Sequence, residues 1–481
     1  MEIDYLKVGL KSGIEIHQQL DTHKLFCNCP SLLRQDAPKF RMERKLHAVA
    51  GEGGEVDVAA SYEARREREF IYEGYDTTCL VELDEEPPHI LNEEALEIAI
   101  QISLLLNCEI LPVSQIMRKT VINGSNTSGF QRTLLIARNG WVETASGKVG
   151  IDNISLEEDA AREMGKEGNK IIFRLDRLGI PLVEIGTAPG IKNPEQAKEV
   201  ALHIGEILRA CKVKRGIGTI RQDVNMSIKI GKKRGERVEI KGVQEPSLIS
   251  KTIITEIERQ QKEKLKQGEV RKANPDGTTT FLRPLPGAAR MYPETDLPLL
   301  HISKQLIDKI KKSLPKLKHE VREELVKQGL SADMAKLVLQ KNKLSEFKEL
   351  VQLYNAPNLI VKMIVLWREE ITSHNNKKIE EIEEKLNTDL FEDILKALKQ
   401  GKIKEEDVKR IMKEVVEGKK LGEAVEKKEI NKEEIEEEII RMLKEKPGLS
   451  ESAYMGILMA KYKGKISGKE LIELIRKHLK R

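Results

Sequence analysis

The residue pattern of this chain changes once, near residue 297, and that change limits what it can fold into. Before it lie nearly all of the glycines, the turn dipeptides and the β-branched alternation. After LPLLHISKQ, around residue 300, Lys/Glu/Leu segments with helical spacing take over. Period-two alternation calls for strands and a 3.6-residue period for helices. The chain therefore reads as α+β, a sheet-rich part with helices packed on it followed by an all-α part. At 481 residues it exceeds one ordinary core, and a prior of about one domain per 150 residues gives two to four. The expected divisions are 1–297, 298–375 and 376–481, the last resting only on the polar stretch TSHNNKK.

Within the first part, TIRQDVNMSIKI (219–230) is the clearest strand. Alternation puts Arg221, Asp223, Asn225 and Ser227 on one face and Ile220, Val224, Met226 and Ile228 on the other. The spacing predicts helices over 93–107 and 193–211, the second opened by Asn193 as N-cap before Pro194. In the second part, short amphipathic segments broken at Asn387 and Gly401 suit a compact helical bundle, because no heptad repeat is sustained long enough for a coiled coil.

Charge and cysteine usage narrow the setting. The 83 Lys+Arg against 78 Asp+Glu leave a net charge of +5, too small to demand a nucleic-acid partner, although local clusters can still supply a surface for one. Charged residues make up 33% of the chain, an ionic composition shared with heat-adapted proteins. No apolar run reaches the roughly 18 residues that span a bilayer, and MEIDYLKVG is not a signal sequence, so a cytoplasmic protein without a membrane partner is expected. Five cysteines (27, 29, 79, 108 and 211) are too few for a disulfide framework and are expected to be thiols or metal ligands.

The chemistry starts from GIEIHQQL, where Glu15 and His17 share one strand face. Alone, such a pair is an ordinary polar edge. Other acids enlarge it: LEEDA brings Glu157, Glu158 and Asp159, PLVEIGT embeds Glu184 in an apolar strand, and RQDVN adds Asp223 and Asn225. A carboxylate in PLVEI must meet a metal, a cation or a solvent cleft to offset its desolvation. One imidazole among several carboxylates suits Mg²⁺ or Mn²⁺. There is no HExxH, Walker A or GxGxxG sequence. Cys27 and Cys29 form C-x-C, and Asp76 and Cys79 form D-x-x-C; together they make either a tetrahedral Zn²⁺ set or ordinary buried free thiols. RKTVINGSNTSGFQRT (118–133) is a small polar stretch able to cradle a phosphate, or a plain surface loop. The basic run over 459–481 is either a nucleic-acid contact or a solvated helix face.

Taken together, GIEIHQQLDTHKLFCNC, YDTTCLVELDEEPP, LEEDAAR, LVEIGTAPGIKNPEQA, IRQDVNMSI and ARMYPETDLPLL resemble the GatB/GatE family of tRNA-dependent amidotransferase subunits, over essentially the whole chain and in the family's order. The wording is nearer to the archaeal GatE branch, which acts in glutamyl-tRNA(Gln) amidotransferase, than to the bacterial GatB branch. The resemblance implies a cradle-shaped catalytic domain followed by helical and tail domains that grip tRNA. It implies ATP-dependent phosphorylation of the γ-carboxylate of Glu-tRNA(Gln), then displacement of phosphate by ammonia from an asparaginase-like partner, GatD. It carries His17, Glu158 and Glu184 over as Mg²⁺ ligands, with Glu157 as the alternative to Glu158 and with Glu15 and Asp223 as further catalytic acids. Candidates to hold the nucleotide are Lys119, Asn126, Ser128, Gln131, Asn225 and Lys241. One departure stands out. The aspartyl-tRNA-synthetase-like insertion usual ahead of PDGTTTFLRPLPGAARMYPETD has no room here. The Cys27, Cys29, Asp76, Cys79 set likewise departs from the four-cysteine zinc site of some GatB proteins. Other readings are a tRNA-binding scaffold without catalysis, a metal-dependent hydrolase, and a GatB-type enzyme that also takes Asp-tRNA(Asn).

Overall fold

A computed structural model describes residues 3–50, 54–263, 265–285, 290–375, 379–426, 432–462 and 468–479. It divides into two compact units, Met1–Glu320 and Val321–Arg481. The first is sheet-rich with packed helices and the second is helical, the α+β arrangement that the pattern change implies. The division expected near 375 abuts residues 376–378, which lie outside the described residues.

In chain order the strands and main helices of the first unit are β1 (Lys11–Gln19), β2 (Phe40–Arg44), β3 (Glu69–Gly74), α1 (Glu93–Leu105), β4 (Ile116–Thr120), β5 (Phe130–Val142), β6 (Val149–Glu158), β7 (Arg162–Glu167), β8 (Lys170–Arg174), β9 (Pro181–Thr187), α2 (Pro194–Ala210), β10 (Ile220–Ser227), β11 (Val238–Lys241), α3 (Pro246–Lys262), β12 (Glu269–Ala273), β13 (Thr279–Pro284) and β14 (Met291–Pro293). The large sheet runs β13-β12-β11-β10-β1-β9-β6-β5-β4-β14. A smaller one runs β2-β3-β8-β7 around Phe70, Tyr72 and Phe173.

The two edges of the large sheet are consecutive in sequence. In a flat sheet, nine strand spacings of about 4.8 Å would part β13 and β14 by about 43 Å. The chain from Pro284 to Met291 reaches at most about 25 Å. The sheet must therefore curl until its first and last strands approach one another.

Alternation gives the sheet one apolar face. Ile14, Ile16, Leu134, Ile154, Leu156, Val183, Ile185, Val224, Met226, Val238 and Ile240 are buried there against α1, α2 and α3. Each such side chain contributes about 1.5–3 kcal/mol when fully removed from water. Both helices expected from spacing are present. Asn193 caps α2 by accepting from the Gln196 amide at 2.8 Å, which fixes where the chain turns from the end of β9 into the core layer. Gly13 is required by close approach, since a Cβ there would lie 2.9 Å from the Thr187 carbonyl oxygen on the neighbouring strand.

In the second unit one core gathers residues from Leu325 to Ala424, from both sides of position 375. Another joins Ile435, Ile439, Tyr454, Leu458, Leu471 and Ile475. Among the basic residues near the C-terminus, Lys461, Arg476 and Lys477 are held by Glu438, Glu451 and Glu436. Among the described residues no helix is long and apolar enough to cross a membrane.

Candidate functional site

The face of the large sheet opposite the helices carries the site. Register defines it: His17 on β1 lies opposite Glu184 on β9 and Arg221 on β10, and Glu15 lies opposite Asp223. Glu184 pairs with Ser155 of β6, Glu157 of β6 with Thr133 of β5, and Gln131 of β5 with Lys119 of β4. On the other side Asn225 of β10 pairs with Glu239 of β11. Opposed residues of antiparallel strands point the same way, so one row of polar side chains crosses seven strands.

His17 is the centre. Its Nε2 is 3.4 Å from Glu15 Oε1, 3.4 Å from Glu184 Oε2 and 3.8 Å from Glu157 Oε1. Lys119 Nζ closes one end, 2.6 Å from Glu157 and 3.3 Å from Glu184. Lys241 Nζ closes the other, 2.9 Å from Asp223 and 2.5 Å from Glu239. Burial pushes the His17 imidazole down, but the hydrogen bond and charge of Glu184, joined by Glu15 and Glu157, outweigh it and raise it to about 9. Burial and the charge of Glu184 push the Glu15 carboxyl up to about 7. Burial also raises Glu157. Burial opposes ionisation of Glu184 too, yet Lys119 and His17 hold it well below its ordinary value. Lys241 does the same for Asp223 against its burial.

Two overlapping sets, Glu15/His17/Asp223 and His17/Glu157/Glu184, each bring their ligand atoms within 4.8 Å of one another. Four crowded carboxylates, two of them pushed up by desolvation, form an oxygen-rich site with room for added positive charge. That donor chemistry fits a hard divalent cation.

Glu158 is not in this cluster. Adjacent strand residues face opposite sides, and Glu158 turns away to Arg132, whose backbone amide donates to it at 3.0 Å and whose Nη1 lies 3.3 Å from it. It is Glu157 that stands beside His17 and Glu184. The phase of the strand carries the signal: Ile154 and Leu156 point into the core, so Ser155 and Glu157 must point to the polar face. Arg132 also holds Glu294 at 2.9 Å, and Arg118 reaches Glu294 at 2.5 Å. This buried network joins residues more than 150 positions apart, and no local pattern announces it. Asp159 is likewise buried, anchored by Arg221 at 2.8 Å and Gln19 at 2.6 Å.

The nucleotide candidates separate into two groups. Lys119, Gln131, Asn225 and Lys241 belong to the polar row. Asn126 and Ser128 lie in the loop between β4 and β5, where the Ser128 hydroxyl donates to the Phe130 carbonyl. Both line a small cavity with Lys24, Glu82, Arg132 and Glu158, away from His17.

Cys27, Cys29 and Cys79 do converge, and Glu82 is the fourth group within 4.8 Å. Asp76 is outside this set, its exposed carboxylate taken by Arg34 at 2.5 Å. Glu82, three residues after Cys79, accepts from the Cys79 amide at 2.9 Å and pairs with buried Lys24. Hydrogen bonds from Cys27 and Cys29 hold the Cys79 thiol below its ordinary value, and burial lowers Lys24. Three converging sulfurs fit a structural soft-metal site.

The GatB/GatE catalytic domain family matches residues 10–308. The E subunit of the glutamyl-tRNA(Gln) amidotransferase of Methanocaldococcus jannaschii is 38% identical over 637 aligned positions covering all of both chains. That of Sulfurisphaera tokodaii is 34% identical over 99% of this chain and 100% of its own. That of Methanothermobacter thermautotrophicus is 36% identical over 85% of this chain and 87% of its own. An alignment of 637 positions against 481 residues leaves the Methanocaldococcus protein with a domain's worth of sequence that this chain lacks. The chain belongs to the GatB/GatE family of tRNA-dependent amidotransferase subunits, with the archaeal GatE proteins as its relatives.

Proposed function

We propose that this chain is the synthetic subunit of a cytoplasmic amidotransferase that converts Glu-tRNA(Gln) to Gln-tRNA(Gln). A γ-carboxylate oxygen attacks the γ-phosphorus of ATP, forming a carboxyl phosphate as ADP leaves; ammonia then forms the C–N bond as phosphate leaves. The observation that carries this reading is the convergence of Glu15, His17, Glu157, Glu184 and Asp223 on one face between Lys119 and Lys241. Bringing a carboxylate to a polyphosphate sets two anions against each other, and positioned positive charge must offset that repulsion. Mg²⁺, when bound, would supply most of it, held by His17, Glu157 and Glu184 or by Glu15, His17 and Asp223. Lys119 keeps Glu184 ionised and works against the burial of Glu157, and Lys241 keeps Asp223 ionised. His17 binds only after giving up its proton.

In this reading, residues 1–297 do the chemistry, the helical part beyond them holds the tRNA body, and an asparaginase-like partner protein supplies ammonia. We assign a structural Zn²⁺ to Cys27, Cys29 and Cys79. The test is to give the purified chain Glu-tRNA(Gln), ATP, Mg²⁺ and ammonium. Gln-tRNA(Gln) is the expected product, and its failure to form with or without the partner overturns the reading.

A further inference from the structure

Among the described residues, two arginines beside the polar row have no carboxylate within ion-pair distance. Arg283, next to last in β13, is in register with Val270 of β12, which is itself in register with Glu239 of β11, so the row that contains His17 extends to Arg283. Arg290 stands at the opposite edge, where its Nε donates to the Thr120 carbonyl at 3.3 Å, next to Lys119. The curl of the sheet brings these edges together. The Arg283 guanidinium is pressed below its ordinary value by burial first and by the charge of Arg290 second.

Half-buried guanidiniums normally sit in a fork of carboxylate oxygens, because removing a cation from water without a partner is costly. Among the described residues neither arginine has a carboxylate within ion-pair distance. The acids near Arg283 are engaged elsewhere: Glu239 with Lys241 at 2.5 Å, Glu63 with Arg66 and Arg68 at 3.4 Å, and Asp57 with the first amides of helix Val58–Ala64. Two like charges at the margin of the carboxylate row, neither with a carboxylate at ion-pair distance among the described residues, call for an anion.

We infer that Arg283 and Arg290 form the subsite that receives the phosphate groups of the nucleotide, flanking the acids that hold its divalent cation. This rests on the function proposed above. A polyphosphate fits better than an RNA backbone because both arginines adjoin the carboxylate row, where a metal-bound anion has to lie. The planar forks of arginine match phosphate oxygens two at a time.

The test uses the full chain and titrates tripolyphosphate and a non-hydrolysable ATP analogue in the presence of Mn²⁺, following Mn²⁺ binding separately. Arg283→Ala and Arg290→Ala are each expected to weaken both anions at least about tenfold, to flatten the salt dependence and to leave Mn²⁺ affinity unchanged. Arg283→Lys and Arg290→Lys keep the charge and lose the fork, so they are expected to fall in between and to serve where an alanine variant does not fold. Unchanged affinity for both anions overturns the inference, as does a loss confined to tRNA binding, which would assign the pair to the RNA backbone. In both cases the unaltered chain still binds nucleotide, and the proposed function stands. If the unaltered chain binds neither anion, both readings fail.

Discussion

Glu157 and Glu158 are neighbours in sequence and lie on opposite faces of β6, the first 2.6 Å from Lys119 beside His17 and the second 3.3 Å from Arg132. Their neutral variants are expected to separate cleanly. Glu157→Gln should lower Mn²⁺ affinity about tenfold or more and abolish carboxylate phosphorylation. Glu158→Gln should leave Mn²⁺ affinity unchanged and cost about 2 kcal/mol in urea unfolding, because it weakens a buried charge-assisted contact.

His17→Ala and Glu184→Ala each remove a side chain proposed above to hold the divalent cation, and neither change touches the helical unit. Both are expected to lose ATP-dependent activation of Glu-tRNA(Gln) by at least about a hundredfold. Their tRNA affinity in a filter-binding assay should match that of the unaltered chain. Near-normal turnover in both variants removes the polar row from the chemistry.

The network around Glu294 gives a stability signature in pH. Burial opposes ionisation of Glu294, but the hydrogen bond from Arg118, and Arg132 with it, holds the carboxyl below its ordinary value of 4.5. A group depressed by folding contributes stability that is fully present above its unfolded value and is lost as pH falls through the folded one. The stability gap between the unaltered chain and Glu294→Gln should therefore be full at pH 7, about 2–4 kcal/mol, and shrink below about pH 4.5. Denaturant midpoints measured from pH 7 to pH 3 check both sign and window.

For the thiol cluster, the chain purified without chelator should carry stoichiometric zinc by elemental analysis. Cys29→Ser and Cys79→Ser should each lose it and lower the melting temperature. Asp76→Ala should keep its zinc, since Asp76 pairs with Arg34. Equal zinc in all three variants places the metal elsewhere.

Much of this arrangement is legible in the sequence where alternation is unbroken. IRQDVN displays its two faces directly, and Glu184 among apolar neighbours shows that its strand must meet something charged. The order LEED leaves Glu157 and Glu158 open until the phase set by Ile154 and Leu156 is followed through. Glu82 has the right distance from Cys79 to join the sulfurs, but its turn conformation is not written in a period. The pairing of Arg118 and Arg132 with Glu294, and the lack of a carboxylate partner for Arg283 and Arg290 among the described residues, depend on which strands become neighbours. Strand order is settled by tertiary packing and leaves no local mark.

The short covalent path between β13 and β14 acts as a drawstring. Because the two rims of the sheet are tied within eight residues, the gap between them is capped by chain length before any side chain packs, and neither rim can spread past that cap without pulling the other. Lengthening that tie by a few residues would loosen the mouth of the sheet while leaving every hydrogen-bonded ladder intact.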